Sequence, residues 1–361
     1  MGGEVESMGK KLKVGVLGCG NISDIYMANL SSRFNEVSLV ACADLVVDRA
    51  RAKALKYGID AESPESLMGR PDIDIIVNLT QPLVHGETSL AILRAGKHLY
   101  TEKPLAHNRK LGKSILEAAN HAELAVAGAP DTILGAGIQT CQDLIQKGAI
   151  GVPLGGCAFM VCPGHESWHP DPAFYYATGG GPVFDMGPYY LSALLELMGP
   201  IAGVQSYQSK AWNERTVGSG PKAGQRIDVQ VPTHTAGLLR FESGAIVSLT
   251  MSFDVQATRL PPIELWGTEG SLAVPDPNTF GGPVLLRRKN ETEWKDIPLQ
   301  KPWADNSRGL GVVNLARFIM NGEECRVSGE RCYHVLDVME GLTDAAQSGQ
   351  EYHPGNTEFF R

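Results

Sequence analysis

Leu12-Lys13-Val14-Gly15-Val16-Leu17, continuing into Gly18-Cys19-Gly20-Asn21-Ile22-Ser23, reads as a short apolar strand that turns on glycines into a helical pattern carrying Ile25, Met27 and Leu30. In such a strand–turn–helix unit Gly18 permits the tight turn, Gly20 lets the backbone approach a pyrophosphate, and the phosphates sit at the positive end of the helix. Ser23 stands where a third glycine would be, and a residue that small still lets helix and strand pack closely. The stretch predicts a dinucleotide-binding βα unit with Gly18, Cys19, Gly20, Asn21 and Ile22 against the cofactor. A glycine turn in an unrelated βα unit is the alternative.

The units that follow repeat the pattern. Val37–Ala43 is a second strand, and it ends at Asp44, 24 residues past Gly20, where a carboxylate accepts both hydroxyls of an adenosine ribose and repels a 2′-phosphate. NAD is therefore expected over NADP, although Arg49 and Arg51 leave NADP possible and Asp44 could equally cap the helix expected at Asp48–Tyr57. A buried strand at Ile73–Leu79 closes on Thr80-Gln81-Pro82, which brings Thr80 and Pro82 alongside the cofactor, and His85 opens the next helix as a polar N-terminal residue. That helix stops at Ala95-Gly96 and feeds a strand, His98-Leu99-Tyr100-Thr101, that runs into Glu102-Lys103-Pro104. Strand ends of open α/β sheets are where ligands bind, so Lys103 can be aimed at a substrate, with Glu102 and Lys103 beside the cofactor. A solvated turn is the bland reading of the same tripeptide. Strands alternating with helices predict a parallel doubly wound sheet, a Rossmann domain spanning residues 8–128.

At 361 residues the chain suits two domains. A formal charge of −8 with no basic run argues against a nucleic-acid partner and for small molecules. The seven cysteines are odd in number and never spaced Cys-x-x-Cys, so neither a disulfide framework nor a zinc site is expected, and the scattered histidines suggest no metal site either. No apolar run reaches the roughly 18 residues of a membrane helix. Residues 1–11 lack an apolar signal-peptide core, Met8 is a candidate start, and a cytoplasmic location is expected.

From about Gly151 the texture changes to alternating runs, among them Cys157–Val161, Val204–Trp212, Val229–Phe241, Ala245–Val255 and Ile263–Trp266, with hairpin turns at 242–244 and 267–270. These predict a second domain over 129–361, an α+β unit with an open, largely antiparallel sheet, one face of which is left for a subunit interface. A homodimer or homotetramer is expected. Between the first two runs lies a loop rich in histidine and aromatics, 164–176, whose rings suit the C–H faces of sugars; Trp168 and His169 are the candidate substrate contacts, a self-packed surface loop being the alternative. Asp185 is expected just ahead of a helix over Gly187–Met198, where it could simply cap it.

Gly18-Cys19-Gly20-Asn21-Ile22, Ala43-Asp44, Ala95-Gly96-Lys97-His98, Glu102-Lys103-Pro104 and the run from Gly179 to Gly187 occur in an order that resembles the Gfo/Idh/MocA family, that of glucose-fructose oxidoreductase and inositol dehydrogenase. The resemblance implies a nicotinamide cofactor and the interconversion of a secondary or anomeric alcohol and its carbonyl on a sugar, sugar derivative or cyclic polyol. It implies Lys103 as the acid/base or its electrostatic helper, and Asp185 as a substrate contact. Much of the family has histidine four residues further on; here Tyr189 stands there, one helical turn from Asp185, and becomes a rival for the proton. Lys103, Asp185 and Tyr189 are the expected catalytic set and, with Trp168 and His169, the expected substrate contacts. A dinucleotide-binding regulator without turnover and an NAD-dependent glycosidase are the competing functions.

Overall fold

The computed structural model describes residues Lys11–Gly355. Residues 8–10, at the start of the expected first domain, and the candidate start at Met8 lie outside the described residues. Contacts divide the chain into two units. One runs through Glu102 and adds Ser114–Ala129 and Arg308–Gly329; the other comprises Lys103–Lys113, Pro130–Ser307 and the chain from Glu330 on.

The first unit is built on six parallel strands: β1 (Leu12–Leu17), β2 (Val37–Ala43), β3 (Asp60–Glu62), β4 (Ile75–Asn78), β5 (His98–Thr101) and β6 (Val126–Gly128), in the order β3-β2-β1-β4-β5-β6. Helices α1 (Ser23–Ser32), α2 (Val47–Tyr57), α3 (Pro64–Gly69) and α4 (His85–Arg94) connect them, with α5 (Arg109–His121) between β5 and β6. The central strands read as unbroken apolar runs because both faces are covered: Val14, Val16, Ile75, Ile76 and Val77 are fully buried. Strand order reverses between β1 and β4, so their carboxyl ends, the Gly18 turn and Leu79-Thr80, border the crevice in which such sheets bind ligands. Lys97 is drawn inward, its Nζ donating to Arg70 O (2.5 Å) and Ile73 O (2.9 Å), so this part of the family-like pattern holds the sheet together.

The second unit contains α6 (Ala136–Gln146), β7 (Pro153–Val161), α7 (Gly181–Met198) and β8 (Ile201–Ser209). The short pair β9 (Glu214–Thr216) and β10 (Arg226–Asp228) follows, then β11 (His234–Phe241), β12 (Ile246–Ser252), β13 (Ile263–Gly267), β14 (Gly270–Val274), β15 (Leu285–Arg288) and β16 (Lys295–Asp296). Eight of these strands form a mixed, largely antiparallel sheet ordered β16-β15-β14-β13-β7-β12-β11-β8, in which only the β12–β7 pairing is parallel among the described residues. Helices α8 (Leu310–Asn321) and α9 (Gly329–Ser348) are the last helices among the described residues, α8 against β5 and β6.

Two local differences from the sequence expectation bear on the site. Helix α7 begins at Gly181, six residues before Gly187, because Pro182 in its first turn gives up a donor that has no intrahelical acceptor there anyway. Asp185 therefore lies inside the helix and does not cap it. Pro188, also inside, has no N–H to close the turn on the carbonyl of Phe184. Helix α6 lies over a stretch to which the sequence reading gives no element, and Gly137 in its first turn is held to glycine because a Cβ there would collide with the carbonyl of Gly281.

Candidate active site

The glycine turn after β1 is built for close approach. Gly18 has φ +104°, and a Cβ on it would lie 2.6 Å from Leu79 O, so both the conformation and the space demand glycine. At Gly20 the opposite holds: a Cβ would meet no protein atom within 4 Å, which leaves a cradle over the turn at the N-terminal end of α1. Asp44, at the end of β2, is fixed against the same turn, its Oδ2 accepting from Cys19 N (2.8 Å) and its Oδ1 from Val46 N (2.8 Å). On the other side of the crevice Thr80 Oγ1 donates to Asn78 Oδ1 (2.7 Å), and buried His85 sets its Nε2 2.8 Å from Thr80 O, bracing the loop. Pro82 opens a single helical turn, Pro82–Val84. Glu102, just past β5, accepts the Tyr26 hydroxyl on Oε1 (2.8 Å).

These residues fit a dinucleotide. The cradle over Gly20 is where a pyrophosphate would be held by backbone N–H groups and the α1 dipole. The Asp44 carboxylate, already oriented by two backbone donors, retains lone pairs for a ribose diol.

The chain crosses from the first unit to the second at the peptide bond between Glu102 and Lys103. Within the second unit Lys103 Nζ donates to the backbone carbonyl of Asp185 (2.6 Å) and to its Oδ1 (3.0 Å), and lies over the ring of buried Tyr189, 5.2 Å from its centroid. The other carboxylate oxygen, Asp185 Oδ2, is 3.5 Å from Nε2 of buried His165. Burial alone would raise the Asp185 carboxyl; the Lys103 charge, with His165 beside it, outweighs that and holds it down at about 2. Asp185 therefore stays ionised throughout the neutral range. Tyr175 goes the other way, pushed up to about 12 by burial and then by the Asp185 charge, and so remains a neutral phenol.

His165 sits in an aromatic box. Its ring centroid is 4.1 Å from that of Tyr175, 4.5 Å from Phe253 and 5.4 Å from Trp168. His169 packs on Trp168, Phe174 and Tyr175, with its Nδ1 accepting from Asp171 N (3.1 Å), and Trp168 is largely exposed. Of the two histidines in this loop it is His165 that meets Asp185.

The box is anchored from beneath by Arg215 of β9. Its guanidinium pairs with Glu166 (2.5 Å) and with Asp254, donates to Pro163 O (3.0 Å) and Phe253 O (2.8 Å), and stacks over the rings of Tyr176 and Trp212. Glu166, Tyr176 and Asp254 are the sequence neighbours of His165, Tyr175 and Phe253. Nothing in the sequence marks Arg215, since its hydrogen-bond partners lie 38–52 positions away. Among the described residues no group of three or more His, Cys, Asp or Glu could hold a metal ion, and no helix is long and apolar enough to cross a membrane.

A six-stranded doubly wound sheet with an open glycine turn, joined in the chain to a sheet unit that carries a lysine–carboxylate cluster, has the architecture of dinucleotide-binding α/β proteins. The chain belongs to the Gfo/Idh/MocA family. Residues 12–128 match the oxidoreductase family with an NAD-binding Rossmann fold, and residues 138–273 match the GFO/IDH/MocA C-terminal domain. It is similar to dTDP-3,4-didehydro-2,6-dideoxy-alpha-D-glucose 3-reductase of Streptomyces antibioticus, 26% identical over 82% of this chain and 86% of that one. It is also similar to myo-inositol 2-dehydrogenase of Thermotoga maritima, 24% identical over 72% and 74%. Among solved structures it superposes on levoglucosan dehydrogenase in complex with NADH and L-sorbose with a TM-score of 0.80, at 20% identity, covering 96% of this chain and 100% of the other. The protein is an NAD-binding oxidoreductase.

Proposed function

We propose that this oxidoreductase interconverts a secondary or anomeric alcohol and its carbonyl on a sugar, sugar derivative or cyclic polyol. The observation that carries the reading is the Lys103–Asp185 pair, with Nζ 3.0 Å from Oδ1, on the same carboxylate that faces the aromatic box around His165. Aromatic walls suit the C–H faces of a polyhydroxylated ring, and an ionised carboxylate orients its hydroxyls. The names of the relatives, a sugar-nucleotide reductase, an inositol dehydrogenase and a levoglucosan dehydrogenase, share that ring chemistry.

Gly18 to Ile22, Asp44, Thr80, Pro82, Glu102 and Lys103 would hold NAD, residues 8–128 serving the dinucleotide and 129–361 the substrate. When bound, NAD accepts or returns a hydride at the carbinol carbon. Lys103 handles the hydroxyl proton: its amine accepts in the oxidative direction, and its ammonium, held by Asp185 O and Oδ1 and by the Tyr189 ring, donates in the reductive one. Asp185 orients the substrate hydroxyl, Tyr189 hydrogen-bonds to the reacting oxygen, and Trp168 and His169 flank the sugar. Retention of this acid–base set favours an enzyme over a regulator without turnover.

The assembly we propose is a homodimer or homotetramer formed on the large sheet. Tyr207, Leu238, Ile246 and Trp266 alternate with buried neighbours on one sheet face and are exposed, an apolar surface of the kind subunits cover. A cytoplasmic location belongs to the same proposal, supported by the free thiols of Cys19, Cys42, Cys141, Cys157 and Cys162. The test is absorbance of reduced nicotinamide on mixing protein and NAD with methyl glycosides of glucose, galactose and mannose and with myo-inositol. Turnover of at least one is expected; NAD binding without reduction by any would favour the regulator.

A further inference from the structure

The two oxygens of the Asp185 carboxylate face different partners, Oδ1 the ammonium of Lys103 at 3.0 Å and Oδ2 the imidazole of His165 at 3.5 Å. The second distance is too long for a full hydrogen bond, and His165 Nε2, although buried, has no hydrogen-bond partner in the protein. A buried nitrogen left in that state costs free energy unless something else bonds it. The ring cannot easily swing away to find water, because Tyr175 and Phe253 pack against it and Arg215 holds their chain neighbours Tyr176 and Asp254. The imidazole is thus fixed with one polar atom directed at the free side of a carboxylate whose other side serves Lys103.

The two hydroxyls of a gauche vicinal diol can each donate to one oxygen of a single carboxylate. We infer that the substrate is a vicinal diol whose non-reacting hydroxyl is read by His165: its O–H donates to Asp185 Oδ2 and its oxygen accepts from His165 Nε2–H, while the reacting hydroxyl next to it lies on the Lys103 side. His165 is then a specificity-determining substrate contact that selects alcohols by their neighbour, a role no periodicity or motif assigns to it. The inference rests on the reading of Lys103 and Asp185 as the reacting end, and the experiment separates the two.

Take the best-oxidised of methyl α-D-glucopyranoside, methyl α-D-galactopyranoside, methyl α-D-mannopyranoside and myo-inositol, together with its monodeoxy analogues, and measure kcat/KM with NAD for the native enzyme, His165→Phe and His165→Gln. Phenylalanine fills the aromatic box without a donor, whereas glutamine keeps one. For the native enzyme, one monodeoxy analogue that retains the oxidised hydroxyl but lacks its neighbour should be about 10- to 100-fold worse than the parent, the loss expected of an unmade charge-assisted bond. His165→Phe should be worse by a similar factor on the parent and no worse than the native enzyme on that analogue, and His165→Gln should recover part of the loss. NAD binding, followed by quenching of protein fluorescence, should be the same in all three. If His165→Phe penalises parent and deoxy analogue equally, or not at all, the inference is overturned while the functional reading stands. If the native enzyme reduces NAD with none of the four parents, that reading fails and the inference fails with it.

Discussion

Asp44, just past the end of β2, and Asp185, inside α7, are both carboxylates of the candidate site, yet their surroundings differ. Asp44 is held by two backbone N–H groups and faces the glycine turn, so its charge is available to a ribose diol. Asp44→Ala is expected to weaken NAD by about 10- to 100-fold while changing NADP little, as follows from losing charge-assisted hydrogen bonds to one cofactor and a repulsion toward the other. Equilibrium titration with both cofactors checks this, and an unchanged ratio would contradict the assignment. Asp185 is ionised because of Lys103 and His165, and its folded-state carboxyl, at about 2, lies below its ordinary 3.8. A depressed carboxyl stabilises the fold fully above its unfolded value, and that contribution disappears as pH falls through the folded one. Between pH 5 and 2.5 the native protein should therefore lose on the order of 2 kcal/mol that Asp185→Asn has already lost. Urea midpoints of the two proteins should converge as the solution is acidified; parallel curves would mean that the pair does not stabilise the charge.

At the scale of elements, the two glycines of the β1–α1 turn make opposite predictions. Gly18→Ala strains a left-handed backbone and presses on the Leu79 carbonyl, and should cost on the order of 1–3 kcal/mol or more in thermal or urea unfolding. Gly20→Ala should leave that stability nearly unchanged, because its Cβ meets no protein atom within 4 Å, and should weaken NAD. The strand–turn–helix pattern was readable from residues 12–32 because the sheet there is covered on both faces and its turn chemistry is local. The loop from Gly164 to Gly180 was legible only as unusual. Its order comes from Arg215, on a three-residue strand that no alternation reveals, and from Phe253 just past the end of β12. His169 and His165 are equally visible in sequence, and only the fold decides which one reaches Asp185. Arg215→Met leaves Glu166 and Asp254 as half-buried carboxylates without their cation, so a loss of up to about 3–5 kcal/mol is expected by urea denaturation.

Over the whole molecule, composition and alternation identified two kinds of sheet and a chain of two units. The start of α7 was missed because a proline early in a helix looks like a breaker until its position in the first turn is known, and with it was missed the place of Asp185 within the helix. Lys103 is legible as a strand-end lysine, but its partner Asp185 is 82 residues away and comes only from folding. The exposed row of Tyr207, Leu238, Ile246 and Trp266 leads to the prediction that sedimentation at micromolar protein shows a dimer or tetramer, and that Leu238→Lys with Ile246→Lys shifts it to monomer. Monomer alone in the native protein would remove the proposed interface.

In the proposed reaction Lys103 moves the proton of an alcohol oxidised by NAD. Its most direct measurement is NADH absorbance in a single turnover, with NAD binding titrated in parallel, for the native enzyme, Lys103→Met and Tyr189→Phe on the best-oxidised sugar or polyol. Lys103→Met should bind NAD nearly as the native enzyme does and form NADH at least about a thousandfold more slowly, in line with loss of a general acid–base group. Tyr189→Phe should keep measurable turnover with the native acidic limb in its pH–rate profile. If Tyr189→Phe removes that limb while Lys103→Met merely moves it, the tyrosine carries the proton and the claim is contradicted.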